Sequence, residues 1–275
     1  MAMKMKKYEE LELRDDFMFS RIMSNPKFVK PLLETILGVK IRKIVYPQTQ
    51  KTIDLSLQGK GIRLDVYVED DQNTVFNLEM QTSDGANLPK RMRYYQGMID
   101  LNILDKGQDY TTLKKSYVIF ICTFDPFGEG RHIYTFCNTC QENTALTLDD
   151  DAVKIILSTK GTMDDVSPEM QRILDYIDGK GASDKFTEEL EEAVCSARQN
   201  ERWRLDYMTL EYEYRQRYLE GKEEGREEGR AEGRAEGRER TIQKLHERGE
   251  SIASIADIVG LNEEEVKRVI SKLKL

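Results

Sequence analysis

The feature that most constrains this chain is the stretch 61–81, GIRLDVYVEDDQNTVFNLEMQ, in which two alternating runs flank a polar turn. In the first run Leu64, Val66 and Val68 point one way and Arg63, Asp65 and Tyr67 the other. In the second, Phe76, Leu78 and Met80 oppose Val75, Asn77, Glu79 and Gln81. Period-two patterning on both sides of a turn at Glu69 to Asn73 predicts an antiparallel hairpin. A turn centred near Gln72 sets Asp65 directly across from Glu79, with β-carbons about 5 Å apart on one face. Like charges opposed across strands destabilise a sheet. A divalent metal is the simplest compensation, because hard cations such as magnesium are often held by only one or two protein carboxylates. Gln81, two residues past Glu79, adds an amide to the same cluster. A hairpin with three solvated polar residues on its wet face satisfies the same spacing.

The pattern Asp65-x13-Glu79-x-Gln81 resembles the active site of the PD-(D/E)xK nucleases, in which an Asp on one strand and a Glu-x-Lys on the next hold the metal. Gln81 stands where lysine usually stands, and acid-x-Gln there is similar to one branch, the Rpn-type recombination-promoting nucleases and transposases. The Asp-x-x-Phe of Asp16 and Phe19 resembles the opening motif of that family, whose acid on the first core helix lies near the metal. Asp16 reads equally well as an ordinary helix N-terminal acid. The Arg-x-x-Tyr spacing of Arg91 and Tyr94 resembles the helix that follows the active-site strand, and the phrase FICTFDPFG is similar too. The resemblance runs from about Asp15 to Gly161. It implies a restriction-endonuclease-like α/β core and Mg2+ (or Mn2+) held by Asp65 and Glu79, with Asp16 as a further acid. It also implies double-stranded DNA as substrate and a link to transposition or recombination. Gln81 can act neither as a base nor as a cation; an amide there orients a water or a phosphate by hydrogen bonds.

Around the hairpin, residues 13–24 read as an amphipathic helix ended by Asn25-Pro26, and Phe28 to Leu37 as a second, with Gly38 as its C-cap. Ile41 to Tyr46 and Ile53 to Leu57 read as strands. After Gln81 a polar loop leads into LPKRMRYYQGMIDLNIL, a helix with Pro89 in its first turn. There Lys90, Arg91 and Arg93 with Tyr94 and Tyr95 suit phosphate and sugar contacts, or form a plain basic face with packed tyrosines. Ser116 to Thr123 is a near-continuous apolar run, as in a strand buried on both faces, and Ile133 to Cys137 is a further short strand. This order predicts an α/β sandwich around a mixed sheet flanked by helices. Cys137 and Cys140 form a lone Cys-x-x-Cys, short of the four ligands that zinc needs.

The tail changes character. Ser167 to Ile177 and Thr187 to Tyr218 read as helices, and a four-residue repeat then occupies Glu220 to Glu239, with Gly221, Gly225, Gly229, Gly233 and Gly237 at every fourth position. In a helix these become winding stripes of small, positive and negative groups, either a self-association arm for a homo-oligomer or a solvated spacer. Residues 241–275 read as three short helices with a core of Ile252, Ile255, Ala256, Val259, Leu261, Val266 and Ile270. They resemble a helix-turn-helix, but Glu263, Glu264 and Glu265 open the third helix and would repel phosphates. That favours a packing or partner module over a DNA reader. The expected organisation is a nuclease-like core at 1–160, a helical arm at 161–240 and a small helical module at 241–275. The net charge of -8 disfavours indiscriminate nucleic-acid binding. No apolar run reaches membrane length, which predicts a soluble, cytoplasmic protein without membrane contact. Two functions remain in view: a metal-dependent DNA endonuclease, or a non-catalytic scaffold built on a retired nuclease fold.

Overall fold

A computed structural model of the protein describes residues 5–53, 62–85 and 87–273. Residues Met5–Tyr207 form one compact unit, and Met208 onward belongs to a second. Among the described residues the first unit is built on a six-stranded sheet of order β1-β2-β3-β4-β6-β5. Its strands are β1 (Ile44–Ile53), β2 (Ile62–Asp70), β3 (Val75–Gln81), β4 (Ser116–Cys122), β5 (Ile133–Phe136) and β6 (Ala152–Ser158). β2 runs antiparallel to its neighbours β1 and β3, β3, β4 and β6 are parallel, and β5 returns antiparallel along β6. The sheet is therefore mixed, and α3 (Leu88–Ile103) makes the crossover between the parallel neighbours β3 and β4, as parallel pairing requires.

The hairpin turn fixes the register. Asp70 accepts from the backbone of Gln72 at 2.9 Å and of Thr74 at 2.8 Å, and Asn73 takes the left-handed conformation at φ 64°, which Asn tolerates better than most residues. Val66 then pairs with Leu78 and Val68 with Phe76, the register expected for a turn centred near Gln72. The alternative of three solvated polar residues does not hold: Glu79 is buried, and Asp65 and Gln81 are only partly exposed. Val66, Val68, Phe76 and Leu78 are buried on one side, and Tyr67, Val75, Asn77 and Glu79 on the other. The cause is α3, whose Leu88, Met92, Met98 and Ile99 pack with Tyr67, Val75, Val118, Phe120 and Ile156.

Local signals explain most helix ends. Before α2 (Pro26–Leu37), Asn25 caps the helix, accepting from the backbone of Lys27 at 3.0 Å, and Gly38 closes it at φ 66°. α1 is shorter than expected, Asp16–Met23. The strand expected over Ile41 to Tyr46 begins instead at Ile44 and runs to Ile53, and of the strand expected at Ile53 to Leu57 all but Ile53 lies outside the described residues. β6, AVKIILS, is a central strand that the sequence reading does not anticipate. α4 spans Pro168–Ile177. The single helix expected from Thr187 to Tyr218 is two, α5 (Lys185–Arg198) and α6 (Glu201–Glu247). Asn200 separates them: its side chain accepts from the backbone of Trp203 at 3.1 Å and so starts a new helix.

The first unit runs well past Lys160. Arg198 donates to the carbonyl of Leu11 at 2.7 Å, Tyr207 to that of Lys6 at 2.9 Å, and the rings of Tyr8, Phe17 and Tyr207 meet with centroids 5.2–6.3 Å apart. In the second unit the end of α6 packs with α7 (Ile252–Val259) and α8 (Glu263–Leu273) around Ile242, Ile255, Ala256, Val266 and Ile270. Asn262 and Glu265 form a reciprocal capping box, with bonds of 2.9 and 3.0 Å. Ile242, fully buried here, extends the core read from the sequence. Because α5 and the start of α6 bind the backbone of Leu11 and Lys6 and pack a ring on Tyr8 and Phe17, a chain ending at Lys160 is expected to lose its cooperative urea transition. One ending near Glu213 is expected to keep it, and far-UV circular dichroism during a urea titration distinguishes the two.

Candidate active site

The hairpin register brings the two expected carboxylates together. Backbone pairing stops at Val66 and Leu78, and at the next step side chains replace the ladder. The Asp65 N–H donates to Glu79 Oε1 at 3.1 Å, and the Met80 N–H donates to Asp65 Oδ2 at 3.0 Å. Each acid is thus held by the backbone of the opposite strand, which fixes both without flexible linkers. Asp16, the first residue of α1, lies near enough for its charge to raise the Asp65 carboxyl. Two carboxylates therefore meet at one end of the hairpin, with the charge of a third acid felt from α1.

Burial and mutual repulsion govern their protonation. Burial, then the charges of Glu79 and Asp16, push the Asp65 carboxyl far above the ordinary carboxylate range. Burial likewise raises Glu79, which is only 3 % exposed; the Asp65 N–H and the Arg91 guanidinium oppose that rise incompletely. Two acids that resist ionising together are a common mark of a functional site.

Gln81 sits at the C-terminal end of β3. Its Oε1 accepts from Arg91 Nη1 at 2.6 Å, and its Nε2 donates to Ser83. Arg91, on α3, also donates to the Tyr95 hydroxyl at 3.2 Å, lies 5.2 Å from the Phe120 ring and approaches Glu79 at 4.0 Å. The guanidinium is therefore set by four neighbours. Tyr94, expected to share a face with Arg91, points to solvent with Lys90 and Arg93, while Tyr95, one helical turn on, meets Arg91. An i,i+4 spacing places that pair on one face, a relation the sequence carried but the Arg-x-x-Tyr reading passed over.

A second residue escaped the sequence reading. Asn77, fully buried two positions before Glu79, lies close enough to favour the charged form of Glu79. Yet its amide makes no well-aligned hydrogen bond. An unmet buried amide costs about 1–3 kcal/mol, a cost placed directly beside the carboxylate pair. Cys137 and Cys140 are free thiols, and among the described residues no group of three or more His, Cys, Asp or Glu side chains is set as a metal cage. Asp125, in the FICTFDPFG phrase, has a structural task. It accepts from the backbone of Gly130 at 2.8 Å and of Phe127 at 3.1 Å and from the Tyr134 hydroxyl at 3.0 Å, pinning the loop after β4.

The sheet order with its β3–α3–β4 crossover, and acids at the end of a central hairpin, are the frame of a restriction-endonuclease-like core. No curated protein and no solved structure matches the chain significantly. Residues 13–157, just over half of the chain, match the family described as PD-(D/E)XK nuclease family transposase. The chain belongs to the PD-(D/E)XK nuclease family of transposases.

Proposed function

We propose that the protein is a metal-dependent DNA endonuclease that hydrolyses phosphodiester bonds at Asp65, Glu79, Gln81 and Arg91, in a role connected with transposition or recombination. The observation that carries this reading is the burial of Asp65 and Glu79 against one another, with the Arg91 guanidinium 4.0 Å from Glu79, at the limit of ion-pair range. Without a further positive charge this arrangement only destabilises the fold. The donors are all hard oxygens, which fits Mg2+ or Mn2+. Asp65 and Glu79 would hold the ion, and Asp16 would add its negative charge nearby. The sparse protein donor set suits magnesium, which keeps several waters of its own. When bound, such an ion supplies Lewis acidity toward the scissile phosphate and the attacking water.

The chain's own residues divide the remaining work. Arg91 supplies positive charge beside Glu79, from α3 rather than from the strand position where the family pattern has lysine. Gln81 acts as a positioning residue: its amide oxygen fixes Nη1 of Arg91, and Ser83 fixes the amide. The glutamine-for-lysine exchange thus moves the charge from the strand to the helix. Lys90, Arg93 and Tyr94, exposed on the same helix, are placed for contacts along duplex DNA.

The division into a core at 1–160, an arm at 161–240 and a C-terminal module at 241–275 is retained as a division of labour, with the last helices of the folded unit counted in the arm. The repeat supports self-association: in α6 every repeat residue from Glu220 to Gly237 is exposed, and an uncovered glycine stripe admits close approach of a second helix. The C-terminal module serves partner binding ahead of DNA reading, since Glu263, Glu264 and Glu265 are exposed at the start of α8.

Three measurements test this reading. Purified protein is expected to cut plasmid in Mg2+ or Mn2+ and not in EDTA. Asp65→Ala, Glu79→Ala and Arg91→Ala are expected to lose roughly 10²–10³ in rate, and Gln81→Ala about tenfold to a hundredfold, the effect of losing a supporting contact. Activity that persists in Asp65→Ala would assign the cutting to another protein. Second, Asp65→Asn removes a carboxyl that ionises freely in the unfolded chain but must take up a proton to be buried beside Glu79. At pH 8 in EDTA it is expected to melt higher than the native chain by about 2–4 °C per kcal/mol relieved. Mg2+ is expected to raise the melting temperature of the native chain but not of the variant, as read by calorimetry. Third, sedimentation equilibrium is expected to find an oligomer that Gly225→Leu with Gly229→Leu dissociates.

A further inference from the structure

A cavity of about 510 Å³ opens beside α3, lined by Pro89, Met92, Arg93, Phe127, Phe136, Cys137, Asn138, Lys154 and Ile156. Its volume lies in the range that takes a small organic ligand. The floor is apolar, formed by buried Met92 and Ile156. The rim carries two half-exposed aromatic rings: Phe127 meets Phe136 at 5.5 Å between centroids and the Tyr134 ring at 4.7 Å. The loop that presents Phe127 is the one pinned by Asp125, so the ring is held in place rather than left to collapse inward. Arg93 and Lys154 add positive charge, that of Lys154 shared with nearby Asp100.

Register ties this cavity to the carboxylates. Glu79 pairs with Phe120, Phe120 with Ile156, and Ile156 with Tyr134, so all four lie in one row on one face of the sheet. The adjacent row runs Asn77, Val118, Lys154 and Phe136. At about 4.8 Å between strands, the cavity floor lies roughly 10 Å from Glu79 and its aromatic wall roughly 14 Å. That span equals about three to four steps of a stacked strand at 3.4 Å each. The first turn of α3 stands between the two places. Arg91 faces the carboxylates from one flank, and Pro89, Met92 and Arg93 face the cavity from the other.

We propose that this cavity receives an unstacked base of the substrate strand, three to four nucleotides from the bond that is cut. Arg93 and Lys154 neutralise the flanking phosphates, and Phe127 and Phe136 stack on the base. Rings of this kind beside cations bind single-stranded nucleic acid without sequence preference, because every base offers a π-face. The occupant is therefore an unpaired nucleobase, and the preferred substrate is DNA locally opened or frayed beside the cleavage position. The identity of the strand rests on the nuclease reading; base binding itself can be measured without cleavage.

The experiment compares two oligomers of equal length and charge, oligothymidylate and the same backbone carrying abasic sites, bound to the full-length protein in EDTA and followed by fluorescence anisotropy. Equal charge cancels the phosphate contribution. The native chain is expected to bind the base-bearing strand about 5- to 150-fold more tightly, the range of one base stack. Phe127→Ala with Phe136→Ala is expected to bind both strands alike, while Phe136→Trp keeps the preference; both rings are half-exposed, so the variants retain the core, checked by their melting curves. Cys137 lines the cavity, and oligothymidylate is expected to slow its alkylation, read by mass spectrometry, without slowing that of exposed Cys195. Equal affinity of the native chain for both strands, or an unprotected Cys137 in the bound complex, overturns the proposal, and plasmid cutting by the same preparation then leaves the nuclease reading standing. A preparation that prefers bases yet never cuts, with any ion, sustains the cavity and removes the nuclease.

Discussion

Every functional feature of the first unit depends on one hairpin register. Asp70 accepts two backbone N–H groups of its own turn, and Asn73 takes the left-handed conformation that closes it. With that turn in place, Asp65 and Glu79 oppose one another and each is bound by the other strand's backbone. A slip of one residue would exchange the faces of the strand, sending Glu79 into the layer of Phe76 and Leu78 and bringing Met80 to Arg91. Burial on both sides of the sheet forbids such a slip, because it would place a carboxylate in an apolar layer. The same registry, carried across β4, β6 and β5, lines up the carboxylates with the aromatic cavity.

The site is assembled against local stability. Two carboxylates are buried together, a third acid approaches, and the amide of Asn77 lacks a well-formed partner. Natural proteins carry such conflicts where function requires them, at a cost to the fold. The surrounding frame supplies the rigidity: β4 is fully buried along most of its length, and α3 is anchored through Met92, Met98 and Ile99. Arg91 then stands with its guanidinium between strand and helix, and its orientation depends on Gln81 and Tyr95 together.

The second unit follows different physics. α6 continues through a repeat that places glycine at every fourth position, each costing about 1 kcal/mol against alanine. Near neighbours repay only part of this: Arg226 with Glu223 and Arg240 with Glu236 lie at 3.8 and 3.3 Å, exposed pairs worth a few tenths of a kcal/mol each. The helix thus gains little from itself, which is the physical ground of the proposal that the repeat meets another chain. The three-helix end of the unit is conventional by comparison, with caps at Ser251 and Asn262 and a small aliphatic core.

The sequence by itself determined the elements whose causes are local. Alternation and the Asp70–Asn73 turn set the hairpin; Asn25, Pro26 and Gly38 bounded α2; Asn262 and Glu265 announced the last helix. The opposition of Asp65 and Glu79 was legible for the same reason, since it depends only on a turn and a period of two. The sequence did not disclose β6, whose partner β4 lies far away along the chain, nor the break at Asn200, where a side-chain cap interrupts a continuous helical pattern. It suggested a wet face on the hairpin because alternation reports polarity, whereas burial depends on what packs above; α3 supplied that cover. The choice of Tyr95 over Tyr94, the arrival of Asp16 beside Asp65, and the cavity between α3 and the β5–β6 edge were decided only by the tertiary structure. Each is a meeting of side chains from separate elements, and such meetings are fixed by the packing of whole layers, which no local spacing encodes.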